Sequence, residues 1–427
     1  MDLSVREIGD LRPDERAALF ERDAGIDEIR EDVRDIVDRV REEGDVAVRE
    51  FTSEFDDVEI GNLDVTDAAE RAVEEIDADV RAAIERAAEN IETFHERSAP
   101  EDWREVFEGR ELGRRYRAVE RAGVYVPGGT AAYPSSALMG VIPAKVAGVE
   151  HVAVATPPAE ELNPVTLAAI HIAGADAVYQ VGGAQGIAAL AYGTETVDRV
   201  QTVVGPGNRW VTAAKAEVRG DVEIDFLAGP SEIAILADET ADPELVAADL
   251  VAQAEHDTQA SVVAVTDDAA LAEDIVAAVE AQAPDRERAD IIEGALENDA
   301  SGVFLARSMP EAVLFVEEYA AEHLSIVADE DEDLLERIDS AGSVFLGPYS
   351  PVAAGDYASG PNHVLPTGGG ARRYGGLSVD TFVRSTTVQR LDTEGLDDLS
   401  ETITTLAEAE GLEAHAESVR KRFEDEE

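Results

Sequence analysis

The sequence predicts an α/β fold, with two tandem parallel-sheet units set between helical N-terminal and C-terminal segments. Short β-rich runs alternate with Ala-rich helices from Arg121 onward, as in AGVYVPGG, SALMGVIPAKVAGV, HVAVATPP, NPVTLAAIHIAGA and DAVYQVGG. A second series of the same kind starts near Glu232 with EIAILAD and continues through PELVAADLVAQAEH, ASVVAVTDD, SGVFLARS and EAVLFVEEYAAEHL to GSVFLG. Strand, helix, strand order with near-continuous apolar strands is what a parallel sheet covered on both faces requires.

Taken in order, the N-terminal stretch DEIREDVRDIVDRVREEGD puts Ile29, Val33, Ile36, Val37 and Val40 on one helix face. A second helix is expected from about Ala78 to Phe94, and residues 1 to about 115 read as mostly helical packing elements. In the first α/β series the glycine clusters Gly128-Gly129, Gly182-Gly183 and Gly205-Pro206-Gly207 follow predicted strands. Ligands of parallel sheets bind beyond the carboxyl ends of strands. No GxGxxG is present, so the units are Rossmann-like without the ordinary dinucleotide fingerprint. After PTGGGARRYGG the chain from roughly 395 to 425 is helical and strongly charged.

A chain of 427 residues exceeds one ordinary domain. No apolar run reaches membrane-spanning length, and MDLSVREIGDLRPDER has no signal-like core, so a cytoplasmic protein with no membrane partner is expected. The formal charge of −58 arises from 93 acidic against 35 basic residues, of which only Lys145, Lys215 and Lys421 are lysines. The acidic residues interleave with helical periodicity, which marks a solvated surface and not a disordered acidic tail. Such a composition resembles that of proteins from extreme halophiles. At molar salt the screening length is about 3 Å, so self-repulsion is muted there and stability is expected to fall as salt is removed. No basic stripe exists to neutralise phosphates, which argues against a nucleic-acid partner. With no cysteine, disulfides, thiolate zinc sites and a Cys nucleophile are excluded. Any metal ligand or base must then be His, carboxylate, amide or hydroxyl.

Histidines divide into two groups. His95, His151 and His171 sit in ordinary helix or strand-edge contexts and read as structural or solvent-facing, whereas His256, His323, His363 and His415 lie in polar clusters. Gln253 and His256, three apart on one helix, project from one face, where amide oxygen and imidazole nitrogen can share a cation or serve as a surface pair. The segment AAGDYASGPNHVLPTGG carries Asp356, Ser359, Asn362 and His363 among glycines and prolines, either a turn-rich connection or a loop that positions functional groups. A carboxylate beside imidazole and amide suits zinc or manganese. Glu322 and His323, read at a helix end and diverging by roughly 100°, are two proton-transfer partners for different points of one pocket. Glu410 and His415 in EGLEAH read singly as exposed helical residues. Tyr125, Gln185 and Asn208, each beside a glycine cluster, offer directed hydrogen bonds to a nucleotide or phosphate ligand.

Together these strings closely resemble the histidinol dehydrogenase family: YVPGGTAAYPSSALM, GGAQGIAALAYGT, VVGPGN, IDFLAGPSE, DLVAQAEHD, AEHL, AGDYASGPNHVLPTGG and EGLEAH occur in one order along most of the chain. The resemblance implies oxidation of L-histidinol through the aldehyde to L-histidine, the last step of histidine biosynthesis, with two NAD and one water. It implies one zinc per subunit held by Gln253, His256, Asp356 and His415, with Ser231, His323 and Glu410 also meeting substrate. Glu322 and His323 would be the proton acceptors, and Tyr125, Gln185 and Asn208 would meet the NAD. It further implies a homodimer with shared sites, in which Glu410 and His415 complete the other chain's site. The chain departs from the family pattern at Pro361, in the apolar run IDFLAG and in its acidic surface.

The domains expected on this reading are an N-terminal segment 1–20, a first α/β domain from 21–120 plus 235–376 that includes the N-terminal helices, an NAD-facing α/β domain 121–234, and a C-terminal helical segment 377–427 reaching the partner subunit. The rival reading is a metal-dependent hydrolase of a phosphorylated or amino-alcohol-type small molecule, since the same nitrogen and oxygen donors suit it. A dehydrogenase for another amino alcohol and a non-catalytic acidic scaffold are the remaining alternatives.

Overall fold

The computed structural model describes residues 3–22, 25–128 and 132–423. Gly129, second glycine of the first cluster, lies outside the described residues. The chain forms two compact units, Met1–Ser98 with Val119–Phe382, and Ala99–Ala118 with Val383–Glu427.

In the larger unit, strands Val5–Glu7, Gly302–Leu305, Ser261–Thr266, Glu232–Ala237, His323–Val327 and Ser343–Leu346 form, in that spatial order, a parallel six-stranded sheet. Strands Ala177–Gln180, His151–Thr156, Arg121–Tyr125, Thr202–Val204 and Glu223–Ile224 make a parallel five-stranded sheet. These are the two tandem units that the alternation predicts. Successive strand residues point to opposite faces. Ile233 and Ile235 therefore join the helices Pro243–Ala254 and Ala269–Gln282 in one core, while Ala234 and Leu236 pack with Phe304, Phe315 and Tyr319 in another. Both faces are covered, which is why these strands are apolar throughout.

The helix Arg30–Glu43 buries Val33, Ile36, Val37 and Val40 and leaves Glu31, Asp32, Asp35 and Asp38 in solvent. It packs on helices Gly183–Tyr192 and Arg209–Val218, and Ala78–Ser98 packs on Pro134–Ala147. The N-terminal helices thus cover the five-stranded sheet, whereas the expected partition joined them to residues 235–376. An amphipathic stripe shows that a helix buries a face, not which partner it meets. Residues of the segment 1–20 add the edge strand Val5–Glu7 to the six-stranded sheet.

The smaller unit holds an antiparallel sheet of Val383–Leu391, Arg110–Ala118 and Trp103–Phe107, followed by helices Thr393–Ala409 and Glu413–Arg420. The helical reading of residues up to about 115 is corrected here: 103–118 is a hairpin, turned at Glu108 and Gly109, both with positive φ. Among the described residues no helix is long and apolar enough to cross a membrane.

His151 is half-buried near Asp198, and His171 is exposed. His95 is only 1% exposed, and neither ring nitrogen has a hydrogen-bond partner among the described residues. Burial holds its pKa down at about 4. The unfolded chain takes up this proton near pH 6.5, whereas the folded chain resists it, so stability present above that pH is lost as pH falls toward 4. The loss amounts to roughly 3 kcal/mol by linkage. His95→Leu is expected to flatten this part of the acid slope, measured by denaturant unfolding of parent and variant at about pH 7 and about pH 4.5. An unchanged slope overturns the assignment.

Candidate active site

A cavity of about 840 Å³ in the larger unit brings together the ends of both parallel sheets. From the five-stranded sheet come the carboxyl ends of strands, where the glycine clusters were expected. Tyr125 ends its strand and lines the cavity with Pro127, Gly128 and the Gly205-Pro206-Gly207 turn. Gly205 has φ +112, and a Cβ there would lie 2.2 Å from the Tyr125 carbonyl oxygen, so only glycine fits. The turn is braced from below. The Gly205 N–H donates to Asp225 at 2.9 Å, its carbonyl accepts from buried Lys215 at 3.0 Å, and Lys215 and Asp225 pair with each other.

The three residues expected beside a nucleotide have different surroundings. The Tyr125 hydroxyl accepts the Gly183 N–H at 3.1 Å, and burial pushes its pKa up to about 12. Asn208 lines the cavity and caps the helix Arg209–Val218, its oxygen accepting from Trp210 and Val211 N–H groups at 3.0 and 3.2 Å. Gln185 is buried in the helix Gly183–Tyr192, with its amide 3.5 Å from Asp56.

From the six-stranded sheet come the amino ends of strands, which the sequence reading did not foresee. The helix Met309–Tyr319 stops at Ala320, whose φ is +51, and Glu322 directly precedes the strand His323–Val327. The pair therefore heads a strand and does not end a helix. A Glu322 carboxylate oxygen accepts the Glu232 N–H at 2.8 Å, and His323 Nδ1 lies 3.1 Å from the Glu232 carbonyl oxygen. The carboxylate and Nδ1 are 3.6 Å apart, and His323 Nε2 stands 3.4 Å from Asp356 Oδ1 without a well-aligned hydrogen bond.

The electrostatics follow from burial. Glu322, removed from water, is pushed up to about 7. Burial works against a charged His323, but Glu322 and Asp356 beside it outweigh that and raise it to about 9. The two groups titrate as a coupled pair, and both shifts are upward. Burial alone would raise Asp356 as well, yet His323, His363 and His256 around it hold its carboxyl below the usual range. Burial lowers His256 and so favours its neutral imidazole.

His256 lies two residues past the end of the helix Pro243–Ala254, its N–H bonded to the Gln253 carbonyl, and lines the cavity with Ser231. Asp356 sits on the short helix Val352–Tyr357. The Gln253 side chain is buried and its amide nitrogen has no partner among the described residues. Turning the amide over would present its oxygen at that position. A neutral imidazole, an ionised carboxylate and an amide oxygen are donors that fit a borderline divalent cation. Among the described residues, however, no three His, Cys, Asp or Glu side chains form a group that could hold a metal. Glu410 and His415 lie in the smaller unit, both exposed, the first capping Thr393–Ala409 and the second on Glu413–Arg420.

Two residues of the site had no role in the sequence reading. His363 is wedged with Nδ1 2.9 Å from the Asp356 carbonyl oxygen and Nε2 3.4 Å from the Ser136 hydroxyl. It was one of the four histidines in polar company, a signal left unused. Glu232 holds both Glu322 and His323 through its backbone; an acidic residue heading the otherwise apolar run EIAILA was its signal.

The family model described as histidinol dehydrogenase matches residues 20–423. The chain is 78% identical over 422 residues to the histidinol dehydrogenase of Haloarcula marismortui, covering 99% of this chain and 100% of that one. It is 49% identical over 428 residues to that of Methanothermobacter thermautotrophicus, covering 99% of both. The crystal structure of histidinol dehydrogenase from Elizabethkingia anophelis superposes with a TM-score of 0.94 at 36% identity, covering 99% of this chain and 98% of that chain.

Proposed function

We propose, since this chain belongs to the histidinol dehydrogenase family of oxidoreductases, that it oxidises L-histidinol through the aldehyde to L-histidine with two NAD and one water. The reading includes one zinc per subunit, a homodimer with shared sites, and work as the last step of histidine biosynthesis in a salt-rich cytoplasm. The observation that carries it is the buried Glu322–His323 pair beside Asp356, at a cavity whose other wall is the glycine turns next to Tyr125 and Asn208.

Gln253, His256 and Asp356, with His415 of the partner subunit, would hold the zinc. Bound there, zinc supplies positive charge that orients the imidazole and amine of the substrate and, by engaging Asp356, lowers the proton affinity of His323; NAD supplies the hydride acceptor. Nδ1 of His323 donates to the Glu232 carbonyl, which leaves the Nε2 lone pair to accept the hydroxyl proton as hydride departs. Glu322 then takes a proton from water that adds to the aldehyde, while protonated His323 returns its proton to the aldehyde oxygen, which completes the diol and frees Nε2 to act as a base again. The resulting diol loses a second hydride, with His323 again the proton acceptor, and the carboxylic acid is formed. A thiohemiacetal route needs a cysteine, and the chain has none.

The test is a zinc-supplemented assay in molar KCl that counts NADH formed per histidinol consumed. Two is expected. One NADH contradicts the four-electron reaction, and substrate loss without NADH supports the hydrolase rival.

A further inference from the structure

Glu232 is fixed at its side chain more firmly than a strand residue needs. Its carboxylate accepts from Arg22 Nε and Nη2 at 2.8 and 3.1 Å, and the two side chains are 3% and 9% exposed. Arg22 also donates to the Tyr319 carbonyl at 2.8 Å and to the Leu19 carbonyl, and its guanidinium lies 3.7 Å from the Tyr319 ring centroid. The Gly368 N–H donates to the same Glu232 carboxylate at 2.8 Å. Gly368 has φ +60, and a Cβ there would lie 2.7 Å from the Arg22 carbonyl oxygen, so a side chain would push the two segments apart.

A buried ion pair is weak evidence for stability, because desolvation offsets most of its attraction, and its attested use is to specify geometry. Here the geometry is that of the acid–base pair. The N–H of Glu232 holds the Glu322 carboxylate, and the C=O of Glu232 holds His323 Nδ1. We propose that Arg22 and Glu232 are positioning residues: their ion pair fixes the peptide groups flanking Glu232, and those groups set the place of the Glu322 carboxylate and the orientation and tautomer of His323. This rests on the function proposed above. Arg22 lies near the start of the chain, distant in sequence from every residue assigned a role in the reaction, and its hydrogen bonds run to Glu232, Leu19 and Tyr319. Its effect is therefore expected chiefly on turnover, with the smaller change in substrate affinity arising through His323 and through Ser231, the chain neighbour of Glu232.

The test uses the full-length chain in molar KCl with Arg22→Lys, Arg22→Met, and the double variant Arg22→Met with Glu232→Leu. The double variant leaves neither charge buried alone, so it decides if Arg22→Met by itself fails to fold. Thermal unfolding first identifies which variants are folded. Folded variants are expected to lose roughly 10- to 100-fold in kcat with KM within about twofold. Arg22→Lys keeps the charge but not the two-pronged donor, and should fall between parent and double variant. The imidazole NMR signals of His323, assigned with a His323→Gln control, are expected to move in the same order. A folded double variant with parental kcat and unmoved His323 signals overturns the proposal, as does a loss carried by KM alone. If the parent forms no NADH from histidinol, the functional reading fails instead, and the NMR comparison still decides the positioning claim.

Discussion

Glu322→Gln is expected to lower complete oxidation of histidinol by roughly 10²- to 10⁴-fold while lowering oxidation of supplied, already hydrated aldehyde far less. Glutamine keeps the shape of the side chain, and its amide oxygen can still accept the Glu232 N–H that holds Glu322 at 2.8 Å. What disappears is the proton acceptor. Burial has pushed that carboxyl up to about 7, which matches a base to water near neutral pH. Steady-state rates with each substrate check the split, because only the alcohol route has to pass through hydration on the enzyme. Equal losses on both substrates contradict the water-activating role.

Much of the larger unit was legible because its signals are local. Strands such as EIAILA are buried at all six positions, and their alternation with helices does not depend on distant residues. The hairpin at 103–118 gave no such signal. Every residue of WREVF is exposed, and Val383–Leu391, which pairs with the other arm of the hairpin, Arg110–Ala118, lies far along the chain, so no apolar period marks these strands. The misreading of AEHL has a similar cause. An ordinary alanine, Ala320, takes the left-handed conformation that stops the helix, where a glycine would have announced the stop. Residue types at the site were legible from strings and spacing, but their arrangement was not. Glycine turns at carboxyl ends of one sheet meet the acid–base pair at amino ends of the other, and only tertiary packing decides which ends face a common cavity.

Chains carrying His256→Ala or His415→Ala are each expected to lose most bound zinc and nearly all activity, yet an equal mixture, dissociated and reassembled, should recover about a quarter of the parental activity. Zinc in a closed protein site takes four donors. Gln253, His256 and Asp356 offer three with suitable chemistry, and His415, exposed on Glu413–Arg420, is available to a neighbouring subunit. Random pairing makes about half the dimers hybrid, and in each hybrid one of the two sites draws His256 from one chain and His415 from the other. If both histidines served a site within their own chain, no pairing would restore either. Metal analysis of the single variants separates the roles: unchanged zinc in His256→Ala removes that residue from the ligand set. Absence of recovery in a mixture whose subunits have demonstrably exchanged sinks the shared-site arrangement while leaving the proton-transfer pair untouched.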